Sequence, residues 1–138
     1  MMNPQPEKNC PCHSGQPYNS CCEPFHKGKS PENALQLMRS RYSAYALGLA
    51  DYIIQTTHPS NPNYTHNFGE WTANILIFSK ETDFKDLKIL DFEDNPTISY
   101  VTFQAILTNK GLDSGFTEKS RFIKNKGQWL YVDGKFIK

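Results

Sequence analysis

At 138 residues, with 38% hydrophobic and 13% aromatic side chains, the chain is long enough to bury a core without disulfides, and its formal net charge of +1 exerts no global pull toward nucleic acid or an anionic membrane. No run of about 18 apolar residues occurs, so no membrane-spanning helix is expected, and the polar start MMNPQPEKNC does not read as a secretory signal. The expected address is therefore the cytoplasm, where clustered thiols hold metals or do redox chemistry more often than they pair as disulfides.

All four cysteines, Cys10, Cys12, Cys21 and Cys22, stand in the N-terminal part, which divides the chain into a cysteine knuckle, 1–29, and a cysteine-free body, 30–138. Residues 1–9 and 23–30 carry Pro, Gly, Lys and Ser and read as loop or tail. Cys10-Pro-Cys12 can offer two sulfurs to one ion across a tight turn, Gly15 and Pro17 help the chain fold back, and Cys21-Cys22 completes a tetrahedron. A vicinal Cys21–Cys22 disulfide would be strained, and no CxxC redox motif is present. The set therefore reads as one structural Zn2+ site, closed to water because all four positions are protein ligands. His13 and His26 flank it and could substitute as ligands, which four thiolates make unnecessary.

In the body, Ser30 as N-cap, Pro31 at the first helical position and Glu32 in the first turn predict a helix with an apolar stripe of Leu35, Met38, Tyr42, Tyr45 and Leu49, ended or bent at Gly48. Asp51 to Thr57 reads as a second short helix closed by Pro59, and residues 60–66 as a loop. Trp71, Ile75 and Phe78 share one helical face, which predicts a helix over 67–82. Period-two alternation predicts strands over Leu87 to Phe92, Ile98 to Thr108, Phe116 to Lys124 and Gln128 to Val132. Asn-Lys-Gly at 109–111 and again at 125–127 predicts hairpin loops in which Gly takes the positive φ. Helices first and a meander afterwards give an α+β fold, with helices packed on one face of a curved antiparallel sheet.

The run from Cys10 through Tyr18 to Cys21-Cys22 resembles a SEC-C motif, named for the zinc-binding tail of the translocase ATPase SecA. LMRSRYSAY at 37–45, Asp51-Tyr52, Thr57-His58-Pro59-Ser60, Phe103-Gln104-Ala105, Glu118-Lys119-Ser120-Arg121-Phe122 and Trp129 through Gly134 resemble the YchJ family over nearly the whole chain. That resemblance implies a cone-shaped body of the nuclear-transport-factor type, with helices cupping the sheet, and a zinc knuckle ligated by the four motif cysteines. It carries no settled activity. The sequence departs from the usual pattern at His13, where Gly is common, and at Thr57, where Trp is common; a second, C-terminal SEC-C motif found in some relatives is absent from these 138 residues.

Cone folds of this kind often enclose a cavity. Glu118 shares a strand face with Phe116, Ser120 and Phe122, and Arg39, Arg41, Tyr42, Tyr45 and His58 lie on the helical segment expected to pack nearby. The structural reading is an ion pair between Glu118 and an arginine; the functional one is a Glu118–His58 acid/base pair in a pocket. Lys119–Lys138 holds six Lys/Arg against one Asp between aromatic residues, a pattern shared by nucleic-acid surfaces and by ordinary half-exposed sheets, and the acidic stretch Asp83–Asp94 is placed to cancel it.

Three functions follow as expectations. The first is a non-enzymatic module whose knuckle, nearly neutral once four thiolates and Zn2+ add about −2, presents a rigid surface to a protein partner, as the resemblance to the SecA tail implies. The second is an enzyme or small-ligand binder using the cavity, and the third, less favoured, is nucleic-acid binding through the C-terminal sheet.

Overall fold

The computed structural model describes residues 8–138; residues 1–7, the start of the expected tail, lie outside the described residues. The knuckle contains a single 3-10 turn, Tyr18–Ser20, and one helical turn, α1, Glu23–His26. The helices α2, Ala34–Leu47, α3, Ala50–Gln55, and α4, Phe68–Glu81, follow, and then five strands: β1, Thr82–Glu93, β2, Ile98–Asn109, β3, Leu112–Asp113, β4, Phe116–Asn125, and β5, Gln128–Ile137. Among the described residues no helix is long and apolar enough to cross a membrane.

The central helix starts later than Ser30. Asn33 is the N-cap: its side chain accepts from the Gln36 N–H at 2.9 Å, while the Gln36 side-chain oxygen accepts from the Glu32 N–H at 2.8 Å. This reciprocal arrangement satisfies two otherwise orphaned donors, which a cap at Ser30 would not achieve. At the other end Gly48 adopts φ 74°, with Gly48 N–H donating to Tyr45 O and Leu49 N–H to Ala44 O, a Schellman closure that glycine enters without steric cost.

The buried face of α2 is broader than the expected stripe. Leu37, Ser40, Ser43 and Ala44 are fully buried along with Met38, Arg41 and Tyr42, while Leu35, Tyr45 and Leu49 are half-buried. The reason is that α2 is covered on several sides, by the knuckle, by α3 and α4 and by the sheet, and the small Ser40, Ser43 and Ala44 let its neighbours come close. One core cluster accordingly joins Cys10, Cys12 and Cys22 to Leu37, Met38, Tyr42, Val101, Phe103 and Phe122. A smaller one joins Ala44, Ala50, Ile53 and Ile75.

The sheet is antiparallel throughout, in the order β1-β2-β4-β5, with the short β3, unforeseen in the sequence, pairing with β2. Ser99, Val101, Phe103, Ala105 and Leu107 point into the core from β2, so the alternation is clean. Register shifts at Phe84/Asp86 and Ile89/Asp91 in β1, and at Arg121/Phe122 between β4 and β5, bend the strands and increase their twist. Both β1 and β5 run longer than expected, because their ends alternate less clearly in hydrophobicity. The turns after β2 and β4 are two-residue hairpins in which Lys110 and Lys126 (φ 53° each) share the left-handed region with Gly111 and Gly127 (φ 81° and 80°), so the lysines as well as the glycines take positive φ.

Candidate functional site

The knuckle brings four sulfurs together by local means. Cys10 N–H donates to Gln16 O at 2.9 Å and His13 N–H to Cys10 O at 3.0 Å, closing a loop that turns through the left-handed residues His13 (φ 60°) and Gly15 (φ 87°). The Tyr18–Ser20 turn returns the chain, and Cys22 sits at the N-cap of α1. The four Sγ atoms lie within 4.8 Å of one another, with Cys12–Cys21 at 3.6 Å and Cys21–Cys22 at 3.9 Å. A tetrahedron with metal–sulfur bonds of about 2.3 Å has edges near ~3.8 Å, so the donor set fits a four-thiolate metal site. The thiols also share protons as a unit: hydrogen bonds from Cys10 and then Cys22 hold Cys12 far below the usual thiol range, while its bond to Cys12, reinforced by burial, pushes Cys10 up to about 12.

Three side chains outside the cluster brace it. Arg39 donates from Nη1 to Cys12 O at 3.0 Å and lies 3.8 Å from Cys12 Sγ, so it serves the knuckle and does not line the body cavity where the sequence had placed it. His13 donates from Nε2 to Phe84 O at 2.9 Å, stapling the knuckle to β1 and giving this left-handed histidine a tertiary partner that glycine would lack. His26 uses both ring nitrogens, Nε2 toward Ser40 O at 2.8 Å and Nδ1 toward the Tyr18 hydroxyl at 2.7 Å, which leaves none for a metal; burial pushes its pKa below the usual histidine value.

Beyond α2, between α4 and the concave face of the sheet, lies an open cavity of about 750 Å³. Of the residues proposed for a pocket, Arg41, Tyr42, Tyr45 and Glu118 line it; Arg39 and His58 do not. His58 is diverted because α3 ends at Gln55, and the chain leaves as a bridge to β5 in which His58 N–H donates to Tyr131 O at 2.8 Å. Its ring then accepts from Ser60 N–H at 3.0 Å, so no Glu118–His58 pair forms.

The expected Glu118–arginine ion pair does not form either. Arg41 donates from Nη1 to Ile53 O, Thr56 Oγ1 and Thr57 Oγ1 at 3.1, 2.8 and 3.1 Å, and its guanidinium lies 4.7 Å from the Tyr131 ring centre. Thr57 is thus an acceptor for this arginine. Glu118 Oε2 instead accepts from the hydroxyls of Ser120 and, at 3.1 Å, Tyr131. Burial, and after it the Glu118 charge, push the Tyr131 phenol above its ordinary range, so it stays protonated and donates.

Ser120 stands on the Glu118 face as the alternation predicted, whereas Tyr131 and Gly134 are the functional neighbours that sequence reasoning missed. Gly134 faces Ser120 across the β4–β5 pair, and a Cβ there would stand 2.2 Å from Glu118 Oε2; the absent side chain is the slot that Glu118 fills. A glycine inside a strand is a recognised sign of such an approach and was legible. The role of Tyr131 was hidden by the bulge: Arg121 pairs with Asp133 but Phe122 pairs with Tyr131, so Val132 is the extra residue, and the shift puts Tyr131 on the face of Ser120 and Glu118.

On the outer face, Lys119 pairs with Glu93 at 3.0 Å and Arg121 holds Asp133 through two bonds of 3.0 and 2.8 Å, which neutralises the middle of the C-terminal basic stretch.

Comparison with known proteins agrees with this architecture. Residues 33–134 match the family profile described as YchJ, middle NTF2-like domain. A UPF0225 protein of Vibrio vulnificus is 40% identical over 134 residues, covering 93% of this chain and 75% of its own length. The solution structure of a SEC-C motif containing protein from Rhodopseudomonas palustris superposes with a TM-score of 0.81 at 32% identity, over 94% of this chain and 99% of that one. The crystal structure of a SEC-C motif containing protein from Psychrobacter arcticus gives 0.78 at 26% identity, over 96% and 85%. The chain belongs to the YchJ (UPF0225) family, with an NTF2-like body and four clustered N-terminal cysteines.

Proposed function

We propose that this protein binds a small amphipathic molecule in the cone cavity, and that one zinc ion on Cys10, Cys12, Cys21 and Cys22 serves to hold the base of the cone. The observation that carries the cavity reading is the state of α4. Its apolar face, Trp71, Ile75 and Phe78, lines the cavity, yet of the whole helix only Ile75 is buried and Phe78 is 39% exposed. An amphipathic helix normally spends that face on a packed core; here it borders open space of ligand size, with a carboxylate held in place opposite. Zinc is supported by the sulfur spacing, by the all-thiolate donor set and by the likeness to SEC-C motif proteins.

The expectation that the knuckle itself engages a protein partner has less support. Its buried thiols face α2, and none of the large exposed apolar side chains falls between residues 8 and 29. A protein partner would find better anchorage on Leu47, Leu76 and Ile77, which are 45%, 45% and 54% exposed; Ile77→Glu tests that second reading through loss of any association seen by sedimentation.

Native mass spectrometry of protein purified without added metal or chelator, joined to methyl NMR during titration with a panel of aromatic probes, tests the main reading. It expects one zinc per chain, and probe-induced shifts at Ile75, Ala105 and Leu107 but not at Ile98. No zinc, or shifts scattered over the outer face, would refute the corresponding half.

A further inference from the structure

Glu118 is a carboxylate without a counter-cation. Among the described residues the ion pairs involve Glu23, Asp86, Glu93 and Asp133, and none involves Glu118. Oε2 takes both hydroxyl bonds, from Ser120 and Tyr131, and Oε1 has no protein partner among these residues. The group is half-buried and pinned in the Gly134 slot, so it does not swing out toward an outside lysine. Arg41, the cation that shares the cavity, is committed through Nη1 to three oxygens on α3 and the segment after it.

The surroundings of Glu118 are aromatic on both sides along its strand. Phe116 packs edge-on against Phe136 at 5.5 Å and against Phe103 at 6.0 Å; Phe122 packs against Tyr131 at 5.6 Å. All five rings line the cavity. Ring faces carry negative quadrupole charge and attract organic cations, and the Arg41 guanidinium lying over Tyr131 demonstrates that this wall accommodates one. The cavity counts two carboxylates, Glu70 and Glu118, against one arginine. A fixed anion, an aromatic wall and a negative balance all favour the same ligand charge.

We infer that the cavity ligand carries an amine: an ammonium group on an apolar body, seated against Glu118 between the Phe116–Phe136 and Phe122–Tyr131 ring pairs. The ammonium supplies the positive charge that Oε1 lacks, and the apolar body covers the exposed face of α4. The inference rests on the cavity reading above and adds the chemical class of its ligand.

The test compares three probes of similar size, 3-phenylpropylammonium, neutral 3-phenyl-1-propanol and anionic 3-phenylpropionate, titrated by NMR into the zinc-loaded protein. The ammonium is expected to bind about tenfold more tightly than the alcohol, and the anion more weakly than either. Glu118→Gln is expected to abolish the preference, so that the ammonium binds no more tightly than the alcohol, since charge is removed and shape retained. Gly134→Ala, which keeps the charge and displaces it, is expected to reduce the preference as well. Binding of the alcohol or the anion as tightly as the ammonium, or a preference that survives Glu118→Gln, would overturn the ligand class while leaving the cavity reading intact. Binding by none of the three would overturn both.

Discussion

Replacing Gly134 by alanine tests whether the strand was built around the Glu118 carboxylate. Gly134 does not take a positive φ, so alanine is compatible with its backbone. The obstacle is steric: the new Cβ would lie 2.2, 2.5 and 2.8 Å from Oε2, Cδ and Cγ of Glu118. Backbone is not in the way, so Glu118 yields by swinging off β5 and giving up the Ser120 and Tyr131 hydroxyls. Two hydrogen bonds to a carboxylate, discounted because the open cavity rehydrates the freed groups, contribute roughly 2–3 kcal/mol. Alanine's advantage over glycine inside a strand returns about 0.5–1 kcal/mol, leaving a net loss of about 1–2 kcal/mol. In a Glu118→Ala background nothing stands in the slot, and the same Gly134→Ala change should stabilise by about 0.5–1 kcal/mol. Urea unfolding of the four proteins completes a double-mutant cycle with an expected coupling near ~2 kcal/mol. Equal cost of Gly134→Ala in both backgrounds would mean that the glycine serves the backbone and that Glu118 is not held as described.

Metal removal should lower the stability of the whole chain in one cooperative transition, since the thiols share the core of α2 and the sheet; binding at a hundred times Kd adds about 2.7 kcal/mol, and an unchanged melting temperature after chelation would oppose a structural ion. Arg39→Gln should weaken zinc about tenfold in competition with a chromogenic chelator, because the donor to Cys12 O and the charge beside Cys12 Sγ are lost; unchanged affinity would make Arg39 a bystander. The depressed pKa of His26 implies that, as pH falls below about 6.5, the unfolded chain takes up a proton that the folded one refuses, so stability drops with falling pH. Zinc-loaded protein followed from pH 7.5 to 6 by urea unfolding should show that slope, and His26→Gln should flatten it.

Much of the architecture was readable because it rests on periodicity. The α4 face of Trp71, Ile75 and Phe78, the alternation of β2 and the two Asn-Lys-Gly hairpins each repeat a local rule over enough residues to be recognised. The cysteine constellation was readable because its chemistry lies within thirteen consecutive residues, 10–22. What escaped depends on register or on packing between distant segments. The helical reading of residues 51–57 overlooked that Thr56 and Thr57 serve Arg41, a partner on another helix, which sends His58 away from the cavity. One extra residue at Val132 reverses which side of β5 Tyr131 occupies, and no local propensity records it. Arg39 and Arg41 are two positions apart, so they point to different sides of α2, one toward the thiols and one toward the cavity; the sequence had grouped them.

The shared core also redraws where this protein can be cut. The family's sequence profile begins at residue 33, yet Leu37 and Ser40, immediately beyond that point, are fully buried in a region closed by residues before it. Cys10, Cys12 and Cys22 pack in the cluster of Leu37 and Tyr42, and His26 holds the Ser40 carbonyl. A chain begun at Asn33 would leave an apolar helix flank facing water and would lose the His26 bond to the Ser40 carbonyl, leaving that oxygen to Ser43 Oγ at 3.1 Å. The knuckle is therefore not a detachable module in the sense of recombination between proteins: a cone domain that acquires or sheds one must change the outward face of α2 at the same time.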